Sequence, residues 1–279
     1  MTGTDGLLTV ESLRKTYALP GGGRLTAVDD VSFELPRGGS LGIVGESGSG
    51  KTTVARMLVG LVRPDSGTIS VAGEQRFPQP AGRRGGPRTR TAARLRRARE
   101  IQIVFQDPYV SLDPRLTAAQ CLHSALRLHG RRDKEAAARR VTELLTQVGL
   151  GAAEADARPH TMSGGQRQRL AIARALAVDP AVLVLDEAVA ALDVSIQAQI
   201  LLLLEQIRRD TGVALVFVSH DLAVVQHVTD ESVVMRNGRV VERGATRQVL
   251  DSPEDPYTQR LLASVPHLGW DPEAVTRSR

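Results

Sequence analysis

The residues best suited to chemistry form a glycine-rich loop that could hold phosphate. A glycine is followed by four residues and then by Gly-Lys-Thr, the spacing of a phosphate-binding loop. Glycines let successive backbone N–H groups turn toward phosphate oxygens, and a helix beginning near the lysine adds the positive end of its dipole. The lysine would reach the β- and γ-phosphates, and the first threonine would ligate magnesium. We therefore expect ATP to bind at Gly45, Glu46, Ser47, Gly48, Ser49, Gly50, Lys51, Thr52 and Thr53.

A second group of chemically capable residues lies where an apolar run ends in two acids. Residues 182–185 are Val-Leu-Val-Leu, and Asp186 and Glu187 follow directly. Ligands of open α/β sheets bind at such strand ends. Asp186 is suited to a magnesium contact, and Glu187 could polarise the attacking water. Together with the phosphate loop, these acids predict ATP hydrolysis rather than two solvated carboxylates.

A third motif, Ser163-Gly164-Gly165-Gln166, opens a predicted helix that runs through Ala175. Two glycine amides, a serine hydroxyl and a helix N-terminus make a second anion site. Ser163 could also be an N-cap alone, but a cap does not explain the glycines or the glutamine. The motif resembles the signature sequence of ATP-binding cassette (ABC) proteins. The resemblance implies that the signature of one subunit caps the γ-phosphate held by another.

The resemblance covers residues 7–266, roughly, and implies roles for further positions. Gln106 resembles the glutamine that touches magnesium and senses the transmembrane partner, and residues 191–193 resemble the loop that crosses the dimer interface. His220 resembles the switch histidine that contacts the γ-phosphate, and Tyr17 resembles the aromatic that stacks on adenine. Taken alone, His220 could be a packed imidazole, and Tyr17 could be an ordinary loop aromatic.

Two places depart from the family pattern. Met162 replaces the usual leucine before the signature serine, a change that conserves volume. Residues 188–190 are Ala-Val-Ala where the family usually has Pro-Thr-Ser, so Ala190 lacks a hydroxyl near the interface loop. Neither departure touches Lys51 or Glu187. We expect activity to be retained, and coupling between subunits to be the property that these changes alter.

The order of apolar patterns predicts an α/β fold. The alternation of half-buried antiparallel strands appears at residues 31–35 and 69–71. Continuous apolar runs, typical of buried parallel strands, occur at residues 41–44, 101–105, 181–185 and 213–218. Amphipathic helical patterns separate them, at residues 53–61, 141–148 and 196–207. With the resemblance, these patterns predict a P-loop NTPase (RecA-like) core, an antiparallel β subdomain and a helical signature subdomain.

Composition limits how the chain could meet a membrane. It has 279 residues with 42% hydrophobic content, but no apolar run long enough to cross a bilayer and no signal-peptide pattern at its start. We therefore expect a peripheral protein at the cytoplasmic face of the inner membrane, held there by a partner. The single cysteine, Cys121, excludes an internal disulfide and fits a small core side chain better than a nucleophile.

Two further stretches resemble the dipeptide, oligopeptide and nickel importer ATPases. One runs from Gln106 to Arg115, and the other is a tail that contains Pro256-Tyr257-Thr258, with Asp255 where histidine is usual. The tail could instead be a docking helix bounded by prolines. The resemblance implies a cassette at residues 1–250, whose helical subdomain spans about 107–175, and an extension at residues 251–279.

The same resemblance implies a machine and its partners. The chain would hydrolyse ATP, with Mg²⁺, to energise import of peptides or related small solutes. Its partners would be a second ABC ATPase subunit of a different sequence, two membrane permeases and an extracytoplasmic solute-binding protein.

The distribution of charge along the chain is compatible with functions other than import. Residues 76–99 carry nine of the 36 basic residues and none of the 31 acidic ones, so the rest of the chain has a small excess of acid. An arginine cluster could bind nucleic acid or ribosomes, or lie near anionic lipid. Aromatic content of 3% argues against base stacking, and we expect no nucleic-acid partner. An exporter or a lipid-extraction ATPase is the other alternative.

Overall fold

The structure, a computed structural model, describes residues 6–77, 95–130 and 133–263, without the side chain of Val110. Two compact units are present, one made of Met1–Pro80 with Val216–Arg279 and the other of Ala81–Leu215. Most of the arginine-rich segment 76–99 and the end of the predicted extension lie outside the described residues. The domain boundaries expected from the sequence therefore stay predictions.

The first unit contains an antiparallel sheet of four strands. The strands are β1 (Gly6–Ala18), β2 (Arg24–Pro36), β4 (Ser66–Val71) and β5 (Glu74–Phe77). Their order in the sheet is β2-β1-β4-β5, and every pairing is antiparallel. The predicted alternation is confirmed, because the inward set is buried: Val31, Phe33, Leu35, Ile69 and Val71.

A second set of strands in this unit leads to the phosphate loop. It consists of β3 (Ser40–Val44), β9 (Glu231–Arg236), β10 (Arg239–Ala245) and most of β8 (Ala214–Ser219). Strand β3 pairs with β9 in parallel, and β9 pairs with β10 in antiparallel fashion. The β9–β10 turn is Asn237-Gly238, with φ of 48° and 81°, as in tight hairpins of the Asn-Gly type.

The described part of the first unit also contains the helices α1 (Lys51–Leu58), α7 (Leu222–Val228), α8 (Thr246–Asp251) and α9 (Pro256–Ala263). The prediction of an amphipathic helix at residues 53–61 is wrong at its C-terminal end. Helix α1 stops at Leu58 because Gly60 takes the left-handed conformation, with φ of 76°, that closes many helices.

The second unit contains two parallel strands and a group of helices. Strand β6 (Ile101–Phe105) pairs with β7 (Val182–Asp186). The helices are α2 (Ala118–Leu128), α3 (Lys134–Gln147), α4 (Ala152–Ala155), α5 (Gly164–Leu176) and α6 (Val194–Thr211). Residues 95–100 are also helical. The strands predicted from continuous apolar runs are each confirmed to within one residue.

Two predicted side-chain patterns can be compared with burial in the second unit. The helical face at residues 141–148 is confirmed, since Val141, Leu144, Leu145 and Val148 are all buried. In the pattern at residues 196–207, Ile200, Leu204 and Ile207 are buried, whereas Ile196 and Leu203 are half-buried. Cys121 is also buried, and burial raises the pKa of its thiol, which favours a packing role over a nucleophilic one.

The length and hydropathy of each helix can be compared with what a membrane-spanning helix needs. Within the described ranges, none of the helices is both long enough and apolar enough to span a bilayer.

Gly42 in β3 tests how tightly the strand before the phosphate loop is packed. A Cβ at this position would lie 2.5 Å from Val225 Cγ1 and 2.9 Å from Ser232 Oγ. We expect Gly42→Ala to lower the free energy of unfolding by about 1–3 kcal/mol, as overpacking does. The control is Gly23→Ala, whose Cβ would meet only Leu19 at 3.6 Å and should change stability by less than about 0.5 kcal/mol. Equal effects in urea denaturation would contradict this account.

Candidate functional site

The loop predicted to bind phosphate joins β3 to α1 inside the first unit. All five residues of β3 are buried. The N-cap of α1 is Gly50 in the left-handed conformation, and its first turn holds no acid. No side chain from the described residues caps this helix. The first N–H groups of a helix lack intrahelical acceptors, and the helix dipole favours an anion there. The start of α1 is therefore suited to phosphate.

At two positions of the loop, neighbouring backbone lies too close for any residue other than glycine. A Cβ on Gly45 would lie 2.2 Å from the carbonyl oxygen of Met235, and one on Gly50 would lie 2.2 Å from that of Ala27. At Gly48 a Cβ would meet nothing within 4 Å, but φ is 82°. Packing thus requires glycine at two positions of the loop, and backbone conformation favours it at the third.

Lys51 lies inside the curve of this loop. Its side chain is only 4% exposed. Its Nζ donates to the carbonyl oxygens of Gly45 and Glu46, both at 2.8 Å, and lies 3.5 Å from Ser49 Oγ. A buried ammonium is costly unless it is hydrogen-bonded, and these oxygens hold it. The arrangement keeps a positive charge at the centre of the loop.

The adenine and switch candidates belong to the same unit. Tyr17 lies near the end of β1, with 37% of its surface exposed, and Lys15 Nζ is 5.5 Å from its ring centroid. His220 follows β8 directly and is exposed. The next residue, Asp221, caps α7 by accepting from two backbone amides. Tyr17 is thus partly exposed near a strand end, and His220 lies directly after another strand.

The carboxylate candidates lie in the second unit. Asp186, the last residue of β7, is 6% exposed and pairs in register with Phe105 of β6. The residues that follow, Glu187 and Gln106, therefore leave two adjacent parallel strands at the same edge of the sheet. Glu187 has φ of 51°, an unusual value for a residue with a Cβ. Such conformations are often found at functional sites.

The altered turn after Glu187 is compatible with its apolar residues. Ala188 and Val189 are 1% and 2% exposed, so the first two substitutions suit a buried position. The amide of Ala190 donates to the carbonyl of Glu187 at 3.1 Å, and a backbone bond from Leu192 to Val189 continues the turn. Ala190 itself is exposed. Backbone hydrogen bonds therefore hold this turn without side-chain hydroxyls.

The signature candidates form the start of α5. Ser163 Oγ accepts from the amide of Gln166, and the Gln166 side chain accepts from the amide of Ser163, which makes a capping box. Gln166 also donates to Glu154. A Cβ on Gly165 would lie 2.7 Å from Ile196 Cγ2, whereas one on Gly164 would have an ordinary contact of 3.5 Å with Leu192. The motif thus caps its helix, and only its second glycine is required by packing.

One contact to the phosphate loop is not predictable from the sequence motifs. The amide of Glu46 donates to the hydroxyl of Tyr257, at 3.2 Å, from helix α9 of the tail. The Pro256-Tyr257-Thr258 motif marked the tail, but nothing in its pattern points 211 residues back along the chain.

A family model described as "ABC transporter" matches residues 28–190, more than half of the chain. The chain belongs to the ABC transporter family. The resemblance inferred from its motifs is thereby confirmed.

Curated relatives agree with this assignment. The chain is 46% identical over 240 residues to the glutathione import ATP-binding protein GsiA of Salmonella typhimurium, covering 86% of this chain. It spans 37% of the length of that relative, which is about a third of the protein. It is also 45% identical over 273 residues to the probable peptide ABC transporter ATP-binding protein y4tS of Sinorhizobium fredii, covering 94% of this chain and 73% of the relative.

Solved structures agree on the fold. The ATP-binding cassette MJ0796, described as a dimer in a post-hydrolysis state bound to ADP and Pi, matches with a TM-score of 0.73 and 28% identity, covering 86% of this chain and 99% of its own. The cbiO1 protein of Clostridium perfringens, part of the cbiONQ complex, matches with a TM-score of 0.75 and 28% identity, covering 90% and 92%. The predicted P-loop NTPase fold class is confirmed.

The two signature glycines provide a stability prediction. We expect Gly165→Ala to lower the free energy of unfolding by about 1–2 kcal/mol, because the new methyl overlaps Ile196 by more than the helix gains from alanine. Gly164→Ala should be neutral or stabilising by up to about 1 kcal/mol. Thermal unfolding measures both.

A double substitution checks the cause. If the overlap is responsible, Gly165→Ala combined with Ile196→Ala should show a favourable interaction energy of at least about 0.5 kcal/mol. Additive effects of the two substitutions would contradict the explanation.

Proposed function

We propose that the chain is the ATP-hydrolysing subunit of an ABC importer that energises uptake of peptides or related small solutes through partner permeases. The observation that carries the nucleotide part is the phosphate loop, in which a buried lysine donates to two loop carbonyls and glycine occupies the N-cap of the following helix. The importer part rests on relatives named for glutathione and peptide transport. These names support import over the exporter and nucleic-acid alternatives.

The loop residues fit a nucleotide. Residues 46–48 are exposed, and the start of α1 carries no acid that would repel phosphate. Lys51 now contacts loop carbonyls, and β- and γ-phosphate oxygens would replace these acceptors on binding. Tyr17, with a partly exposed ring, would stack on adenine. The loop from Gly45 to Thr53 would therefore bind the triphosphate.

The donor set also fits Mg²⁺. Magnesium prefers hard oxygen ligands and keeps several waters and phosphate oxygens, so few protein groups are needed. The Thr52 hydroxyl, the Gln106 amide oxygen and the Asp186 carboxylate have this chemistry. Across the described residues no cluster of three or more His, Cys, Asp or Glu side chains could hold a metal by itself. A bound Mg²⁺ would neutralise charge on the phosphates and orient them.

Hydrolysis would depend on two residues at strand ends. Glu187 would accept a hydrogen bond from the attacking water and polarise it, and its left-handed backbone would aim the carboxylate. His220 would contact the γ-phosphate from the end of β8. We assign both as catalytic residues.

The signature would act on a second subunit. Ser163, Gly164, Gly165 and Gln166 would cover the γ-phosphate held by a partner ATPase, since a helix start with glycine amides is an anion site. The dimeric description of MJ0796 supports such a pair. The remaining partners would be two membrane permeases and an extracytoplasmic solute-binding protein, with a different chain as the second ATPase. This assembly would hold the chain at the cytoplasmic face of the membrane.

Replacing the proposed base tests the hydrolysis step. We expect Glu187→Gln to lower the steady-state ATPase rate of the assembled complex by about 100- to 10,000-fold, the usual range for loss of a general base. ATP binding should persist, because Glu187 is proposed to act on the attacking water and not to hold the phosphates. The control is Glu205→Gln in α6, where the half-buried side chain pairs only with Arg209 in the contacts described. Unchanged turnover by the Glu187 variant would remove it as the base.

Replacing the loop lysine tests nucleotide binding. Lys51→Ala should raise the Kd for Mg·ATP at least about tenfold, because a charge-assisted hydrogen bond to phosphate is worth about 1.5–3 kcal/mol. Isothermal titration of the full chain measures the change. Lys134→Ala, which removes an exposed lysine at the start of α3, should leave the Kd unchanged. Wild-type affinity in the Lys51 variant would refute the assignment of the loop.

A further inference from the structure

The tail helix touches the phosphate loop at a single peptide group. Tyr257, in the first turn of α9, is 4% exposed, and its hydroxyl accepts a hydrogen bond from the amide of Glu46 at 3.2 Å. Burial raises the pKa of this phenol, so the hydroxyl is neutral at physiological pH. A neutral hydroxyl accepts from a backbone N–H through a lone pair.

The opposite side of the same peptide group is held by Lys51. The carbonyl of Gly45 and the amide of Glu46 belong to one planar unit, and in a trans peptide they point in opposite directions. Lys51 Nζ donates to that carbonyl at 2.8 Å, while Tyr257 accepts from that amide. The plane of the first peptide in the loop is thus fixed from both sides.

The tyrosine is itself held by well-defined contacts. The amides of Glu254 and Asp255 both donate to the carboxylate of Glu242 on β10, and Asp255 accepts from the amide of Tyr257. The guanidinium of Arg236 lies 4.8 Å from the centroid of the Tyr257 ring. These contacts place the hydroxyl without help from the loop.

We propose that Tyr257 is a positioning residue for nucleotide binding, which holds the Gly45–Glu46 peptide in place when Lys51 turns away to phosphate. The inference rests on the proposed function of the loop. Among the described residues, two side chains contact this peptide, Lys51 and Tyr257. If phosphate oxygens take over the lysine, the tyrosine is the one of these two that still holds the peptide. Its hydrogen bond therefore stabilises the bound loop more than the free loop, and so it contributes to affinity.

The test is Tyr257→Phe in the full chain, measured by titration with Mg·ATP. Phenylalanine keeps the ring and its contact with Arg236 and removes only the hydroxyl. A neutral hydrogen bond is worth about 0.5–1.5 kcal/mol, so we expect the Kd to rise about two- to tenfold. Without nucleotide the thermal midpoint should fall by no more than about 4 °C, because only one hydrogen bond is lost. In the assembled complex KM should rise while kcat is unchanged.

The matched control is Thr258→Val, the neighbouring position on the same helix. Thr258 is fully buried, and its hydroxyl has no hydrogen-bond partner among the described residues, so the substitution removes a hydroxyl without removing a bond to the loop. Its Kd should equal that of the wild type.

Each outcome decides the inference. A wild-type Kd in the Tyr257 variant would overturn it, as would a raised Kd that Thr258→Val reproduces. A fall in thermal midpoint with unchanged affinity of the folded protein would also overturn it, because the residue would then act on stability alone. If the proposed function itself is wrong, the titration gives a different result, because the wild-type chain does not bind Mg·ATP.

Discussion

The close approach of backbone to backbone around the phosphate loop is the constraint on which this structure most depends. At Gly45 and Gly50 the loop passes nearer to Met235 and Ala27 than any side chain would allow. The loop can keep its curve only while β2 and β9 stay in place. A short series of bonds fixes them: the amide of Gly238 donates to Ser49, and the amide of Asp29 donates to Gly238. Arg239 beside Asp29 holds the pKa of that carboxyl below its usual range, so the pair stays charged at neutral pH.

In the second unit, the parallel pairing of β6 with β7 places the candidate site residues. Because Phe105 and Asp186 are in register, the residues that follow them emerge together, and one of these is Glu187 with its left-handed backbone. The carbonyl of Glu187 accepts from Ala190, so the strained residue is part of a bonded turn. The same turn accommodates alanine and valine at its buried positions, which explains why hydroxyl side chains are not needed to hold Glu187.

The sequence predicted the buried strands well and the long hairpin poorly. Runs such as Val182–Leu185 are recognisable because both faces of the strand are covered. Strand β1 is not, because its alternation is interrupted: pairing shifts register between Val10 and Leu13, and Ser12 has φ of 48°. Motif spacing predicted the phosphate loop, since each residue there has a local reason. The bond from Glu46 to Tyr257 could not be predicted, because it depends on how α9 is anchored through Glu242.

The signature motif shows how a folding reason can be separated from a functional one. Ser163 and Gln166 form a capping box, so their identities would be explained even if they bound nothing. Gly165 is explained by Ile196, which leaves no room for a methyl group. Gly164 has neither reason: its Cβ would meet Leu192 at an ordinary distance, and glycine costs a helix up to about 1 kcal/mol relative to alanine. Since the described residues supply no packing need for it, this glycine is the member of the motif that most favours a close approach from outside the subunit, as the proposed γ-phosphate of a partner would make.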